Sequence, residues 1–467
     1  MAGLTRRFLG PTAGRRRRKK RLILTLCAVF VVILAVTTAA LVLPTVSDGA
    51  ETAIAPPPDT VMPNPQITAF PESAPTPSSS GLTGALTEAI DESALGSFTG
   101  TVADAQTGQV LWSRNPDAPM TPASTTKVLT AAAAMLALPA DHRVTTRVVQ
   151  GSGDGNIVLI AGGDPTLTAL PVGTVGFYPG AARIDDLVEQ IRRSGTAVRT
   201  ISVDTSIYSG DTMAQGWFPA DIAAGSITPI EPVMLDGGRS DPLVDESPRS
   251  TTPALDAGRA LAAGLGVDPA AVTTGTAAEG ADQLASVQSA PLRNRLQQMI
   301  YRSDNVLAEA VGREISIETN TAASFSGAVA SIGQTLYAAG FDMSGLALQD
   351  ASGLSVDGKI PARLLDQVLT SAAGTQQPTL RPMLDYLPVA GATGTLSDRY
   401  ASGNRTGAGW VRAKTGTLSN ASALAGYVVD VDGRVLTFAL MSNDRPPEVS
   451  RPALDAVAST LRLCGCQ

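Results

Sequence analysis

A serine and a lysine three residues apart, Ser124 and Lys127, are the first residues in this 467-residue chain whose types and spacing could do chemistry. Thr121-Pro122 is a helix start signal, so we predict that both side chains lie on one helical face, with Cβ atoms about 5–6 Å apart. At that distance a neutral lysine amine can accept the proton of the serine hydroxyl, which a permanently charged arginine cannot do. Burial and a second nearby cation would both lower the lysine pKa for this role. The pair is weak evidence by itself, because most S-x-x-K sequences are surface helix residues.

Two later motifs supply further hydroxyl, amide and ammonium groups. Ser303-Asp304-Asn305 offers a second hydroxyl that could pass a proton to a leaving amine and an amide that could orient the base, although S-D-N is also a common turn sequence. Lys414-Thr415-Gly416-Thr417, at the start of a predicted hairpin strand, offers a cation and hydroxyls for a substrate carboxylate. The candidate catalytic residues are therefore Ser124, Lys127 and Ser303, and the candidate substrate-binding residues are Asn305, Lys414, Thr415, Gly416 and Thr417.

Lysine is rare in this chain, which contains five lysines and 30 arginines. Only Lys127, Lys359 and Lys414 lie beyond residue 21, and two of these three fall in the motifs above. A genomic bias toward arginine explains the rarity of lysine but not these positions. We interpret Lys127 as a proton acceptor, Lys414 as a compact cation that lowers the pKa of Lys127, and Lys359 as an ordinary solvated charge.

The single histidine of the chain, His142, excludes two common hydrolase mechanisms. A Ser-His-Asp triad would need this residue, which has no nucleophile elbow nearby, and H-E-x-x-H zinc hydrolases need two histidines. We interpret His142 as an exposed loop residue. Cys464 and Cys466, with no histidine near them, are too few ligands for a metal, so no metal site is predicted.

The charge of the chain is distributed unevenly. Nine basic and no acidic residues lie in residues 1–43, so the remainder of a chain of net charge −7 carries −16. A strongly acidic body argues against nucleic acid as a partner.

In their order along the chain, S-x-x-K, S-D-N and K-T-G are the motif set of β-lactamases and penicillin-binding proteins. The chain resembles the class C low-molecular-mass penicillin-binding proteins, the D-alanyl-D-alanine carboxypeptidase/endopeptidase family, from about residue 82 to residue 463. Further stretches similar to those of the family are residues 162–167, 350–355 and 387–396, followed by Arg399. We interpret the first two stretches as turns that serve packing, keep Asp350 outside the catalytic list, and place Trp410 in the core.

The resemblance implies a serine DD-peptidase that needs no metal or organic cofactor. Ser124 would attack the carbonyl of a D-Ala–D-Ala bond and form an acyl-enzyme, with Lys127 as the base. The backbone N–H groups of Ser124 and Thr417 would form the oxyanion hole, and Ser303 would pass a proton to the departing D-Ala. The substrate amide and terminal carboxylate would be bound by Asn305, Lys414, Thr415 and Thr417.

The resemblance also implies partners. The substrates would be peptidoglycan stem peptides, with cleavage of cross-links as a further activity, and β-lactam antibiotics would be inhibitors that acylate Ser124. Two alternatives stay open on the sequence: a serine β-lactamase, which would hydrolyse penicillin rapidly, and a non-catalytic scaffold of the cell envelope.

The family fold is mixed α/β: a transpeptidase-like domain with a five-stranded antiparallel sheet, flanked by helices and interrupted after the S-x-x-K helix. The chain between the first two motifs has room for one smaller inserted domain. Local signals predict hairpins over residues 98–112 and 423–442, and helices over residues 121–138, 184–193, 291–315 (as a helix–loop–helix) and 450–463. We divide the chain into a basic tail at residues 1–21, a transmembrane segment at 22–43, a Pro/Ser/Thr-rich linker at 44–81, a catalytic domain at 82–140 and 283–467, and an inserted domain at 141–282.

The uncharged stretch at residues 22–43 is long enough to cross a bilayer as a helix. The basic residues before it would keep the N-terminus in the cytoplasm, so we predict a single-pass membrane protein whose catalytic domain lies outside. The alternative is a cleaved signal peptide, which would release the protein. The long apolar core and the lack of an A-x-A site favour the uncleaved anchor.

Overall fold

The computed structural model describes residues 74–402 and 404–465. Its strands are β1 (Ser97–Asp104), β2 (Val110–Arg114), β3 (Pro119–Met120), β4 (Thr145–Gln150), β5 (Asn156–Ile160), β6 (Asp164–Leu167), β7 (Thr200–Asp204), β8 (Val233–Leu235), β9 (Thr273–Thr274), β10 (Gln283–Gln288), β11 (Ile360–Pro361), β12 (Arg412–Leu418), β13 (Ala421–Val429) and β14 (Val435–Asn443). Its helices are α1 (Ser79–Ala89), α2 (Glu92–Leu95), α3 (Thr126–Ala137), α4 (Ile184–Ser194), α5 (Ala220–Ala223), α6 (Pro253–Leu265), α7 (Leu292–Arg302), α8 (Asn305–Glu318), α9 (Phe325–Ala338), α10 (Ala362–Ala373) and α11 (Pro447–Leu463).

The central sheet has the strand order β12-β13-β14-β1-β2, with every neighbouring pair antiparallel. This confirms the predicted five-stranded antiparallel sheet and both predicted hairpins. Strand β12, which carries the K-T-G motif, lies at the edge of the sheet. An edge strand leaves backbone groups available to a bound peptide, so the position suits substrate binding.

Both faces of the central sheet are buried, because helices cover each of them. Side chains of β13 and β14 alternate between the two faces, as strand geometry requires. Ala423 and Ala439 pack on the face covered by α3 and α8 to α10, whereas Leu424 and Phe438 pack on the face covered by α1 and α11. The small residues leave room for the Ala123–Thr125 turn, which precedes α3 and packs on β12 and β13.

A second, mixed sheet is formed by the part of the chain between α3 and α7, with the strand order β10-β4-β5-β7-β9. Its apolar core includes residues of α4 and α6. Strand β10, which the sequence analysis assigned to the catalytic domain, pairs with β4 and belongs to this second sheet. The predicted boundary at residue 282 is therefore one strand too early, since alternation within a strand does not reveal its partner. We call residues 145–288 the insertion.

The start of the described chain differs from the prediction of a spacer up to residue 81. Helix α1 begins at Ser79, where the Ser78 hydroxyl accepts the Gly81 N–H at 3.1 Å. The Arg434 guanidinium donates to the Ala74 carbonyl at 3.1 Å, which ties the last residues of the spacer to the catalytic domain. The predicted transmembrane segment at residues 22–43 lies outside the described residues. No helix among those that the structure describes combines the length and apolar character needed to cross a membrane.

Candidate active site

Ser124 lies in a 3-10 turn, Ala123–Thr125, that leads directly into α3. Ala123 has a φ of 46°, a left-handed conformation that is unfavourable for alanine. The surrounding chain approaches this turn closely at two glycines. A Cβ on Gly353 would lie 2.0 Å from the Ala123 carbonyl oxygen, and one on Gly416 would lie 2.6 Å from the Pro122 carbonyl oxygen. The glycine of K-T-G is therefore required by the approach of β12 to the serine turn.

The amine nitrogen of Lys127 lies at the centre of the site and its side chain is fully buried. Its Nζ is 3.0 Å from Ser124 Oγ, 2.7 Å from Asn305 Oδ1 and 2.8 Å from the Ser352 carbonyl oxygen. A neutral amine has two N–H donors and one lone pair. The amide and carbonyl oxygens accept the two donors, which leaves the lone pair directed at the Ser124 hydroxyl. The three contacts thus fit a general base in its neutral form.

Burial lowers the pKa of Lys127 from its usual range to about 8. The carboxylates of Asp350, Asp304 and Glu309 act in the opposite direction and keep the pKa from falling further. A base with a pKa near the ambient pH has a substantial neutral fraction and still accepts a proton effectively.

The second serine, Ser303, is paired with the second motif lysine. Ser303 ends α7 in the left-handed conformation, with φ 63°, and its Oγ accepts a hydrogen bond from Lys414 Nζ at 2.8 Å. Lys414 also donates to the Thr415 carbonyl at 2.7 Å and is fully buried. Burial and then the charge of Lys127 hold the pKa of Lys414 well below its usual range. The predicted lowering of the Lys127 pKa by Lys414 is not seen: burial lowers the pKa of Lys127, and it is Lys127 that helps to lower the pKa of Lys414.

Asn305 connects the base to the insertion. Its Oδ1 accepts from Lys127, and its Nδ2 donates to the Ser226 carbonyl at 2.9 Å. The neighbouring Asp304 caps α8 by accepting the Leu307 N–H at 2.9 Å. The contact with Ser226 was not predicted, since a backbone carbonyl 79 residues away has no sequence signature.

A loop of buried polar residues presents the Ser352 carbonyl to Lys127. Asp350 accepts the N–H groups of Gly353 and Ser355, each at 2.7 Å. Glu309 accepts the N–H groups of Ala351 and Ser352 at 3.0 and 2.9 Å. Asp350 thus shapes the loop without touching the lysine, in agreement with its place outside the catalytic list. Sequence reasoning missed Glu309 and Ser352, and the stretch at residues 350–355 was a signal for Ser352 only.

An open cleft of about 350 Å³ lies above these groups. Thr415 Oγ1 is 2.8 Å from Thr395 Oγ1 on one wall, and the side chain of Thr417 is exposed at the same edge. The lining includes Ser124, Ser303, Asn305, Thr415 and Thr417, together with five arginines, Arg239, Arg249, Arg302, Arg399 and Arg451, and three acidic residues, Asp245, Glu246 and Asp304. The structure therefore brings all the predicted motif residues together around one cleft, in whose lining arginines outnumber acidic residues.

Three other predictions can be placed relative to this site. His142 lies in the loop before β4, as predicted, but it is half-buried and not exposed; it is 3.4 Å from Glu314 and does not line the cleft. Lys359 is half-buried and donates to Thr121 Oγ1 at 2.7 Å, so its description as an ordinary solvated charge was wrong. The placement of Trp410 in the core was also wrong, because 45% of its surface is exposed and Arg462 stacks on its ring.

Among the described residues no group of three or more histidine, cysteine or acidic side chains could hold a metal ion.

The sequence of this chain matches a known protein family and two relatives over most of its length. The model of the D-Ala-D-Ala carboxypeptidase 3 (S13) family matches residues 82–248 and 241–462. A carboxypeptidase of Mycobacterium tuberculosis is 51% identical over 418 residues, which are 89% of this chain and 90% of that protein. The carboxypeptidase DacB of Mycolicibacterium smegmatis is 51% identical over 432 residues, 92% of this chain and 94% of that protein.

A solved structure supports the fold. Penicillin-binding protein 4 from Haemophilus influenzae superimposes with a TM-score of 0.65, covering 81% of this chain and 98% of that one at 21% identity. The mixed α/β architecture predicted from the motifs is therefore that of penicillin-binding proteins.

Proposed function

The chain belongs to the D-Ala-D-Ala carboxypeptidase 3 (S13) family and is a serine DD-peptidase, and we propose that it cleaves the terminal D-Ala–D-Ala bond of peptidoglycan stem peptides through Ser124. The observation that carries this proposal is the arrangement around Lys127. A buried amine with a lowered pKa has two oxygen acceptors and one serine hydroxyl as its partners. This is the arrangement of an activated nucleophile beside its base.

The reaction begins when Ser124 Oγ attacks the carbonyl carbon of the D-Ala–D-Ala bond and its proton passes to Lys127 Nζ. The backbone N–H groups of Ser124 and Thr417 are the proposed donors to the oxyanion. Collapse of the tetrahedral intermediate breaks the C–N bond, and the departing amine takes a proton from the Ser303 hydroxyl, which recovers one from Lys414 Nζ, its hydrogen-bond donor. Water then attacks the ester carbonyl and passes a proton through Ser303 to Lys414, and Lys127 returns its proton to Ser124 as the ester bond breaks.

Substrate binding uses the edge of β12. Lys414, Thr415 and Thr417 are the proposed partners of the terminal carboxylate, with Gly416 allowing the strand to approach the serine turn. Asn305 orients Lys127 and faces the same cleft, where it can receive the substrate amide. β-Lactams, which mimic the terminal dipeptide, acylate Ser124 in this proposal.

Two measurements on the wild-type chain test the function. A peptide ending in D-Ala–D-Ala should release free D-Ala, and a cross-linked dimer of stem peptides, offered in parallel, measures the endopeptidase activity. A brief pulse of penicillin should leave a lasting mass increase on the intact chain. Rapid hydrolysis of penicillin without an adduct would instead identify a β-lactamase, and a chain inert in both assays would support a scaffold.

We also propose that residues 22–43 anchor the protein in the cell membrane with the catalytic domain outside. The support is the uncharged length of this stretch and the basic residues before it. Full-length protein should sediment with membranes, and deletion of residues 1–43 should move it to the soluble fraction. A secreted product whose mass corresponds to cleavage after this stretch would contradict the anchor.

A further inference from the structure

A buried polar cluster joins the insertion to the S-D-N motif. Tyr178 of the insertion donates its hydroxyl to Asp304 Oδ2 at 2.6 Å. Arg239, also of the insertion, donates from Nη1 to the Tyr178 hydroxyl oxygen at 2.9 Å, and its Nη2 lies 3.7 Å from Asp304 Oδ2. All three side chains are less than a tenth exposed. None of them belongs to the chemical steps described above.

The carboxylate of Asp304 has positively charged partners in this cluster. Burial alone would raise the pKa of Asp304, but the guanidinium groups of Arg239 and Arg249, with the Tyr178 hydrogen bond, hold that pKa below its usual range. Asp304 is therefore an anion in the folded protein. Arg239 also stacks on Phe177, whose ring centroid lies 4.1 Å from the guanidinium carbon, and donates to the carbonyls of Asp236 and Asp245. A buried anion in such a network is held firmly, because losing a partner leaves a polar atom unsatisfied.

Asp304 stands between two residues of the active site. Ser303, before it, accepts from Lys414 while in an unfavourable left-handed conformation, and Asn305, after it, accepts from Lys127. The two carboxylate oxygens of Asp304 have separate partners: Oδ1 accepts the Leu307 N–H and Oδ2 accepts the Tyr178 hydroxyl. A turn of this kind persists only when surrounding contacts determine it.

We propose that Tyr178 is a positioning residue of the DD-peptidase reaction: its hydroxyl fixes Asp304 and so places Ser303 and Asn305 against the two lysines. The inference rests on the proposed roles of Ser303 and Asn305. It makes the insertion a part of the active-site machinery, since Tyr178, Arg239 and the Ser226 carbonyl reach the motif from three places in the insertion.

The test is Tyr178→Phe, which removes one hydroxyl and keeps the ring. We expect the rate of acylation by penicillin, and kcat for D-Ala release, to fall about 10- to 100-fold, as misplacement of reacting groups by about an ångström can produce. The stoichiometry of penicillin bound at completion should stay at one per chain. A purely structural role would do the reverse, because a misfolded fraction lowers the stoichiometry while the folded remainder reacts at the normal rate.

Tyr208→Phe is the matched control. Tyr208 is also in the insertion, and its hydroxyl is buried without a hydrogen-bond partner among the described residues. Its removal should leave the acylation rate unchanged. Equal rates for Tyr178→Phe and wild type, or a loss of equal size in Tyr208→Phe, would overturn the inference.

The pH dependence of the acylation rate distinguishes misplaced active-site groups from a changed pKa of Lys127. The groups that shift the pKa of Lys127 besides burial are the carboxylates of Asp350, Asp304 and Glu309, and the neighbouring Lys414 has its own pKa lowered by burial and by Lys127. Tyr178→Phe keeps all of these charges, so the acylation rate should fall at every pH with the midpoint of its pH profile unmoved. Asp304→Asn removes a carboxylate that favours protonated Lys127, so its midpoint should shift to lower pH. A shifted midpoint in Tyr178→Phe would contradict positioning, whereas a wild-type chain that neither binds penicillin nor releases D-Ala would refute the proposed function itself.

Discussion

Arginine in place of Lys127 is expected to slow acylation of Ser124 nearly as much as alanine does, by roughly 10²–10⁴-fold. The guanidinium keeps a positive charge and can donate hydrogen bonds, but it stays protonated and cannot accept the serine proton. It is also planar and larger than the ammonium, in a site where Lys127 is fully buried. The measurement is the second-order rate of acylation by a fluorescent penicillin for wild type, Lys127→Arg and Lys127→Ala.

Lys359→Arg is the matched control for this substitution. Lys359 donates to Thr121 Oγ1 at 2.7 Å, a role that arginine can also fill, so its acylation rate should stay near that of wild type. The pH dependence gives an independent check. Because the neutral amine is the reactive form, the wild-type rate should rise with pH with a midpoint at about 8 and fall as Lys127 becomes protonated below it. Substantial activity in Lys127→Arg would refute Lys127 as the proton acceptor.

Alanine in place of Ser124 is expected to abolish both the penicillin adduct and the release of D-Ala, whereas alanine in place of Ser303 should slow acylation but preserve the adduct. The distinction matters because each serine has a lysine beside it: Ser124 Oγ is 3.0 Å from Lys127 Nζ, and Ser303 Oγ is 2.8 Å from Lys414 Nζ. Only Lys127 has two further oxygen acceptors that would leave its lone pair on the serine. Lys127 is therefore placed to accept the proton of Ser124, whereas Lys414 donates to Ser303. We accordingly assign the attack to Ser124 and the proton relay to Ser303.

Intact-chain mass after exposure to penicillin distinguishes the two variants. Ser124→Ala should gain no mass at any time, and Ser303→Ala should reach the full adduct mass more slowly than wild type. Peptide mapping of the wild-type adduct should place it on the fragment that contains Ser124. An adduct that survives in Ser124→Ala and disappears in Ser303→Ala would reverse the two roles.

Local signals identified the elements that carry the motifs. The Asp432-Gly433 turn sits between β13 and β14, as its sequence predicted, and the helix expected at residues 450–463 is α11, which begins three residues earlier. These predictions succeeded because turn chemistry and apolar periodicity act over a few neighbouring residues. The same signals could not pair β10 with β4, since the two strands lie more than 130 residues apart and many partners satisfy the same pattern.

The sequence by itself determined the chemistry: two serines, two rare lysines and an amide, in an order typical of serine DD-peptidases. It also showed why the residue at position 127 is lysine and not arginine, since a desolvated lysine can lose its proton whereas arginine stays charged. Tertiary structure alone decided what makes those groups reactive. The lowered pKa of Lys127 arises from burial, and its orientation depends on a carbonyl at Ser352, 225 residues along the chain.

In the insertion, too, only the tertiary structure identified the important residue, Tyr178. Tyr178 lies 126 residues before Asp304, and nothing in its neighbourhood along the chain distinguishes it from Tyr208, whose hydroxyl has no partner among the described residues. Desolvation and hydrogen-bond geometry are properties of a packed interior, and they exist only after distant segments have come together. For this protein the residue types specify which proton can move, and the packed interior specifies where it goes.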